Sequence, residues 1–222
     1  MVALQHRLLV DGLGVNHLRL VMGTSMGGMQ SWLWGEQYPE FMDALMPLAS
    51  VPGQISGRNR VWRRLIIDAI RNDPTWMNGD YTAQPVSLRT AQQMIWLVGS
   101  NPYRRWQPAQ TLADADRVME QAIASAVRGS DANDVLYQYE ASRDYDPGPG
   151  LEKIIAPLVA VNTTDDIVNP PDIPVLEKEI TRVKRGRAVM IPESDKTNGH
   201  GTHTLATVWM DYLVQLLKES SK

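Results

Sequence analysis

The chain contains no cysteine. Disulfides and thiolate metal sites are therefore excluded. Phenylalanine is nearly missing too, with one residue against seven tryptophans and seven tyrosines. The aromatic rings thus mostly carry a polar handle, which suits a cleft wall as well as a core. No apolar run reaches the length of a membrane span, so no membrane partner is expected. Neither that nor the lack of a long apolar stretch behind Met1 fixes a compartment. Net charge is small: 22 Lys and Arg against 25 Asp and Glu leave −3. So weak and mixed a field excludes the electrostatic footprint of a nucleic-acid binder. Histidine is the last scarcity, with four residues in 222. Any imidazole chemistry must come from His6, His17, His200 or His203.

What is present suits one globular fold: 43% hydrophobic residues over 222 positions can build a full core. No repeat or low-complexity stretch interrupts it. Residues 3–11 read as a helix closed by Gly12 and Gly14. Residues 17–22 read as a short buried strand and 27–38 as a helix that stops at Tyr38-Pro39. Residues 43–49 read as a second strand, although Pro47 cannot donate to a ladder. Helices near 58–72, 86–99, 111–128 and 131–142 then follow with no strand between them. The turn cluster 146–150 closes this block. A strand at 157–162, a helix at 173–184, a strand at 186–191 and an amphipathic helix at 204–218 complete the chain. Strands alternating with helices imply a parallel sheet covered on both faces. The expected organisation is an α/β core from 1–50 and 151–222, with a helical lid from 51–150 placed over the C-terminal strand ends.

The pentapeptide Gly23-Thr24-Ser25-Met26-Gly27 lies between the first strand and the helix after it. Strand, G-x-S-x-G, helix is the setting of a nucleophile elbow. The two glycines would let the arms of a sharp turn approach, and the helix N-terminus would face the serine oxygen. A serine hydroxyl needs a base. His6 lies upstream, and His17 sits at the wrong end of its strand. His200 and His203 share a glycine-flanked loop between the last strand and the last helix. The loop after the strand at 157–162 offers Asp165 and Asp166 as the acid, one orienting the imidazole and the other facing solvent or capping the loop. The order Ser, acid, His is the order of the α/β-hydrolase fold. Arg58, Arg60, Arg63 and Arg64 suggest either an anion site or, more simply, a solvated helix face.

Residues 23–30 with Trp34 and Tyr38-Pro39-Glu40 resemble the elbow of the homoserine O-acetyltransferase family, a branch of the α/β-hydrolase fold. The stretch 68–76 with Gly79-Asp80-Tyr81 is similar to its lid signature, 166–171 to its acid loop and Gly199-His200 to its base loop. The resemblance implies Ser25 as nucleophile, Asp166 as acid and His200 as base, with the backbone N–H of Met26 in the oxyanion hole. Trp62, Trp76 and Tyr81 are candidate substrate contacts. No metal or organic cofactor is implied, and the partner is a small-molecule ester or acyl donor. The family carries an aspartate after its base, where it contacts the substrate's amino group; here the residue is Gly201. Hydrolysis of an ester is therefore expected over acetylation of homoserine. The family also begins with further strands, one of which brings the second oxyanion donor. Residues 17–22 are accordingly expected at a sheet edge, and a homodimer or other self-association is the expected consequence.

Overall fold

The computed structural model describes residues 1–221. In chain order the elements are α1 (Val2–Arg7), β1 (Val21–Thr24), α2 (Met26–Gln37), β2 (Leu45–Leu48), α3 (Gly57–Arg71), α4 (Ser87–Val98), α5 (Pro102–Trp106), α6 (Leu112–Arg128), α7 (Ala132–Glu140), β3 (Leu158–Thr163), α8 (Val175–Glu179), β4 (Gly186–Ile191) and α9 (Ala206–Glu219). The chain divides into two compact units, Met1–Gln54 with Tyr145–Lys222, and Ile55–Asp144. Among the described residues no helix is long and apolar enough to cross a membrane.

The first unit is built on a parallel sheet in the order β1-β2-β3-β4. Its two central strands, β2 and β3, are buried throughout. Alternate side chains go to opposite faces, as the strand period demands. Leu45, Leu158 and Ala160 join Trp32, Trp34 and Leu176 on one face. Met46, Leu48, Val159 and Val161 meet Leu216 of α9 on the other. Pro47 is tolerated at the centre of the sheet at the loss of one rung. Leu45 and Ala49 donate to Pro157 and Val161, and the register between β2 and β3 is paired only at its two ends. The missing N–H of Pro47 falls between them.

Three elements differ from the sequence expectation. The first strand is Val21–Thr24 rather than 17–22, and Leu18 makes only an isolated bridge to Met42. Arg19 lies between them, with its guanidinium on the last turn of α9: Nη1 donates to Ser220 Oγ at 2.9 Å, and Nη2 donates to the Leu217 carbonyl. Holding that helix end takes the segment out of the ladder. The opening helix passes at Leu8–Gly12 into a π turn. The helix expected over 173–184 is α only at Val175–Glu179 and tightens to a 3₁₀ turn at Ile180–Arg182. Leu176, Ile180 and Val183 still keep helical spacing and are buried.

The second unit is all helical. Trp62 packs edge-on against Tyr139, with ring centroids 5.4 Å apart. Arg63 is not a solvated residue. It is buried with its guanidinium over the Trp62 ring, donating to Asn59 at 2.8 Å and Ser142 at 2.8 Å. Arg58 and Arg64 are exposed, and Arg64 pairs with Asp68 along α3.

Candidate active site

Ser25 stands at the junction of β1 and α2 with φ 52° and ψ −114°. A non-glycine residue rarely holds such a conformation, at a cost of about 1–3 kcal/mol. Its peptide is pinned from β2, since the Ser25 N–H donates to the Leu48 carbonyl at 2.9 Å. The turn closes so tightly that a Cβ on Gly23 would lie 2.1 Å from the Gly27 carbonyl oxygen. Gly27 itself has open space where a Cβ would go, so the second glycine of the motif is not required by crowding. That requirement falls on Gly28, where a Cβ would meet the Leu48 carbonyl oxygen at 2.6 Å. The expectation that both motif glycines serve close approach therefore holds for Gly23 and moves from Gly27 to Gly28. Serine at a helix N-cap usually spends its oxygen on the first-turn N–H groups. Here no side chain caps α2. The Met26 N–H opens a helix start where partial positive charge gathers.

The Ser25 oxygen turns instead to His200, with Oγ 2.8 Å from Nε2. The other ring nitrogen, Nδ1, lies 3.0 Å from Asp166 Oδ2. The Asp166 side chain is fully buried and that of His200 is 13% exposed. Burial pushes the Asp166 carboxyl up. The His200 hydrogen bond and charge, with the N–H groups of Val168 and Asn169, outweigh this and hold it below the usual carboxylate value. An ionised Asp166 only accepts, so Nδ1 carries the proton and Nε2 is left to accept from the serine hydroxyl. In this arrangement Nε2 can take a proton from the serine hydroxyl, and the carboxylate can stabilise the imidazolium that results.

Asp166 is held by its own turn. Oδ1 accepts from the Val168 N–H at 2.8 Å and the Asn169 N–H at 3.2 Å. The Asn169 amide donates to Asp166 Oδ2 at 3.2 Å and to the Ala49 carbonyl at 2.9 Å, tying the acid to the end of β2. Sequence reasoning missed Asn169. An Asp followed three residues later by Asn and then Pro marks such a turn. Asp165 does not face solvent. It is buried, and Oδ2 accepts the Gly199 N–H at 2.8 Å.

His203 lies edge-on to His200, with centroids 5.2 Å apart. Burial, then the charge of His200, lowers its pKa and favours the neutral ring. His17 pairs with Asp43 at 3.0 Å, before β1 begins, and His6 stacks on Tyr38. Trp62, Trp76 and Tyr81 all belong to the helical unit and are engaged there. Trp62 is buried. Trp76 donates to Asn133 at 2.7 Å, and the Tyr81 hydroxyl donates to Asp131 at 2.8 Å. Among the described residues no three His, Asp or Glu side chains gather to hold a metal ion.

A family model described as the alpha/beta hydrolase fold matches residues 1–188. Over 193 residues the chain is 34% identical to a homoserine O-acetyltransferase of Trichormus variabilis, a match covering 77% of this chain and 52% of that protein. A homoserine O-acetyltransferase of Chlorobaculum parvum is 29% identical over 93% of this chain and 61% of its own. The crystal structure of a homoserine O-acetyltransferase from Bacillus anthracis superposes with TM-score 0.84 at 20% identity, covering 97% of this chain and 64% of that one. An acetylester hydrolase from Corynebacterium glutamicum does so with TM-score 0.80 at 18% identity, over 98% and 65%. The chain spans about half to three fifths of the length of the curated relatives it matches.

Proposed function

Because the chain belongs to the α/β-hydrolase fold family, we propose that it is a serine-nucleophile acyl enzyme whose simplest reaction is ester hydrolysis. The observation that carries this reading is the unbroken hydrogen-bond chain Ser25–His200–Asp166. Ser25 Oγ attacks the ester carbonyl while His200 Nε2 takes its proton. The Met26 N–H is a donor to the oxyanion that forms. As the tetrahedral species collapses, the imidazolium returns that proton to the departing alcohol, leaving an acyl-serine. Water then attacks the acyl carbon, His200 takes a proton from it, and the acid leaves as Ser25 is restored. Asp166 keeps the ring in one tautomer throughout.

A second reading is acyl transfer, in which an alcohol replaces water in the second half. The homoserine O-acetyltransferase relatives favour it. Gly201, directly after His200, offers no carboxylate for an amino-bearing acceptor. An ammonium left without such a partner loses on the order of a hundredfold in specificity. Acetyl transfer to homoserine is thus expected to be weak beside hydrolysis of small activated esters.

The test is covalent labelling by a fluorophosphonate together with turnover of a small activated ester. Ser25→Ala is expected to abolish both. His200→Ala should cost several orders of magnitude, on the order of 10³-fold or more, and His203→Ala far less. A folded wild-type chain that neither labels nor turns over would favour a non-catalytic binding role. Efficient transfer from acetyl-CoA to homoserine, well above hydrolysis, would replace the first reading by the second.

A further inference from the structure

The proposed chemistry uses Asp166 and leaves Asp165 without a task, although Asp165 is also buried. The two adjacent carboxyls reach the base loop at different places. Asp166 meets the His200 ring. Asp165 Oδ2 takes the Gly199 N–H at 2.8 Å, one residue before His200, and lies 3.0 Å from Thr197 Oγ1. Thr197 is fully buried and accepts the Ser194 N–H at 3.0 Å, so the same contact reaches back to the start of the loop.

The loop needs this hold. His200 stands between Gly199 and Gly201, and Gly199 has φ 54°. Glycines give a backbone no stiffness of their own. Yet the ring must reach Ser25 on one nitrogen and Asp166 on the other, at 2.8 and 3.0 Å. A displacement of about 1 Å breaks one of the two and costs on the order of a hundredfold in rate. Downstream, the Thr202 hydroxyl accepts the Asn198 N–H at 2.7 Å, and the Trp209 indole donates to the His203 carbonyl at 3.1 Å. Asp165 supplies the matching restraint upstream, from the strand exit that also carries Asp166.

We infer that Asp165, acting through Gly199 and Thr197, is a positioning residue that sets the place of the His200 ring. This rests on His200 being the general base. One aspartate fixes the ring, and its neighbour fixes the backbone from which the ring projects.

The experiment uses the 222-residue chain with Asp165→Asn, Thr197→Val and Thr197→Ser. Three quantities are read: the ring nitrogen shifts and low-field Nδ1 proton of His200 by NMR, the split between kcat and KM on a small activated ester, and the melting temperature. Asp165→Asn is expected to broaden or abolish the low-field proton and to lower kcat about 10- to 100-fold, with KM within about twofold. Thr197→Val should move both in the same direction by less. Thr197→Ser keeps the hydroxyl and should restore both. A folded Asp165→Asn with the wild-type His200 signature overturns the inference, whatever its activity. If the wild type turns over nothing while Asp165→Asn still alters the His200 signature, the functional reading fails and the positioning role stands. If Asp165→Asn does not fold, Thr197→Val against Thr197→Ser decides by the same signature.

Discussion

The two units start their helices differently. In the helical unit α3 and α4 start without a side-chain cap, but Asp73, Asn101, Thr111 and Asp131 each accept hydrogen bonds from N–H groups of the turn they open. In the sheet unit, α1, α2, α8 and α9 have no side-chain cap. The contrast separates two ways of specifying structure. Caps are local and add roughly 1 kcal/mol each wherever they occur. The sheet unit relies on contacts distant in sequence: Ser25 on Leu48, Leu45 on Pro157, Ala49 on Val161. Withholding the serine oxygen from α2 is what frees it for His200.

The comparison can be broken most severely at the elbow. Gly23→Ala places a Cβ against backbone that has no room to move and should destabilise the sheet unit by about 3 kcal/mol or more. Gly27→Ala meets nothing and should cost less than about 1 kcal/mol; equal denaturation midpoints for the two would refute the close approach of the Gly27 carbonyl to Gly23. Next comes Asp131→Ala. It removes the α7 cap along with the partners of Tyr81 and Gln84, and should cost about 1–2 kcal/mol, read as faster amide exchange confined to the helical unit. Ser25→Gly should end labelling yet stabilise the chain by about 1 kcal/mol, because glycine relieves the positive φ; Ser25→Ala should end labelling without that gain.

The smallest effect separates the units by pH. His203 has a lowered pKa in the folded chain, so the unfolded chain binds the extra proton first. Its contribution is complete at neutral pH and is lost as pH falls below the unfolded value of 6.5. Asp114 and Asp131 in the helical unit are also lowered, but for them the loss begins only below the unfolded value of 3.8. Acidification from pH 7 to 5 should therefore weaken the sheet unit first. Glu36, raised by burial, works in the opposite direction, so the observable is the difference between wild type and His203→Gln across that range. Identical pH slopes would remove His203 from the account.

Legibility followed the same division. The helices near 58–72, 111–128 and 131–142 could be read as helical stretches without strands between them, and the last two are opened by the capping side chains of Thr111 and Asp131. The order of strands and helices narrowed the site to Ser25, to Asp165 or Asp166, and to His200 or His203; the resemblance then pointed to Asp166 and His200, and it is these side chains that meet with Ser25. What could not be read depends on distant partners. Arg19 bends its segment through the C-terminal turn of α9. Gly28 rather than Gly27 is crowded, because the obstacle is β2. Arg63 is buried with its guanidinium near the Tyr139 ring and donating to Ser142, both far along the chain.

One bond in the sheet unit lies where the helical segment departs and returns. The Tyr145 hydroxyl donates to the Val51 carbonyl at 2.9 Å, and that side chain is 6% exposed. The exit and the re-entry of the chain are thus clasped together. With its mouth fixed, the segment between behaves as a closed loop whose entropy grows only with the logarithm of its length, about 0.6 kcal/mol for each doubling. The entropic cost of closing the segment between Val51 and Tyr145 therefore depends little on how many residues the clasp encloses.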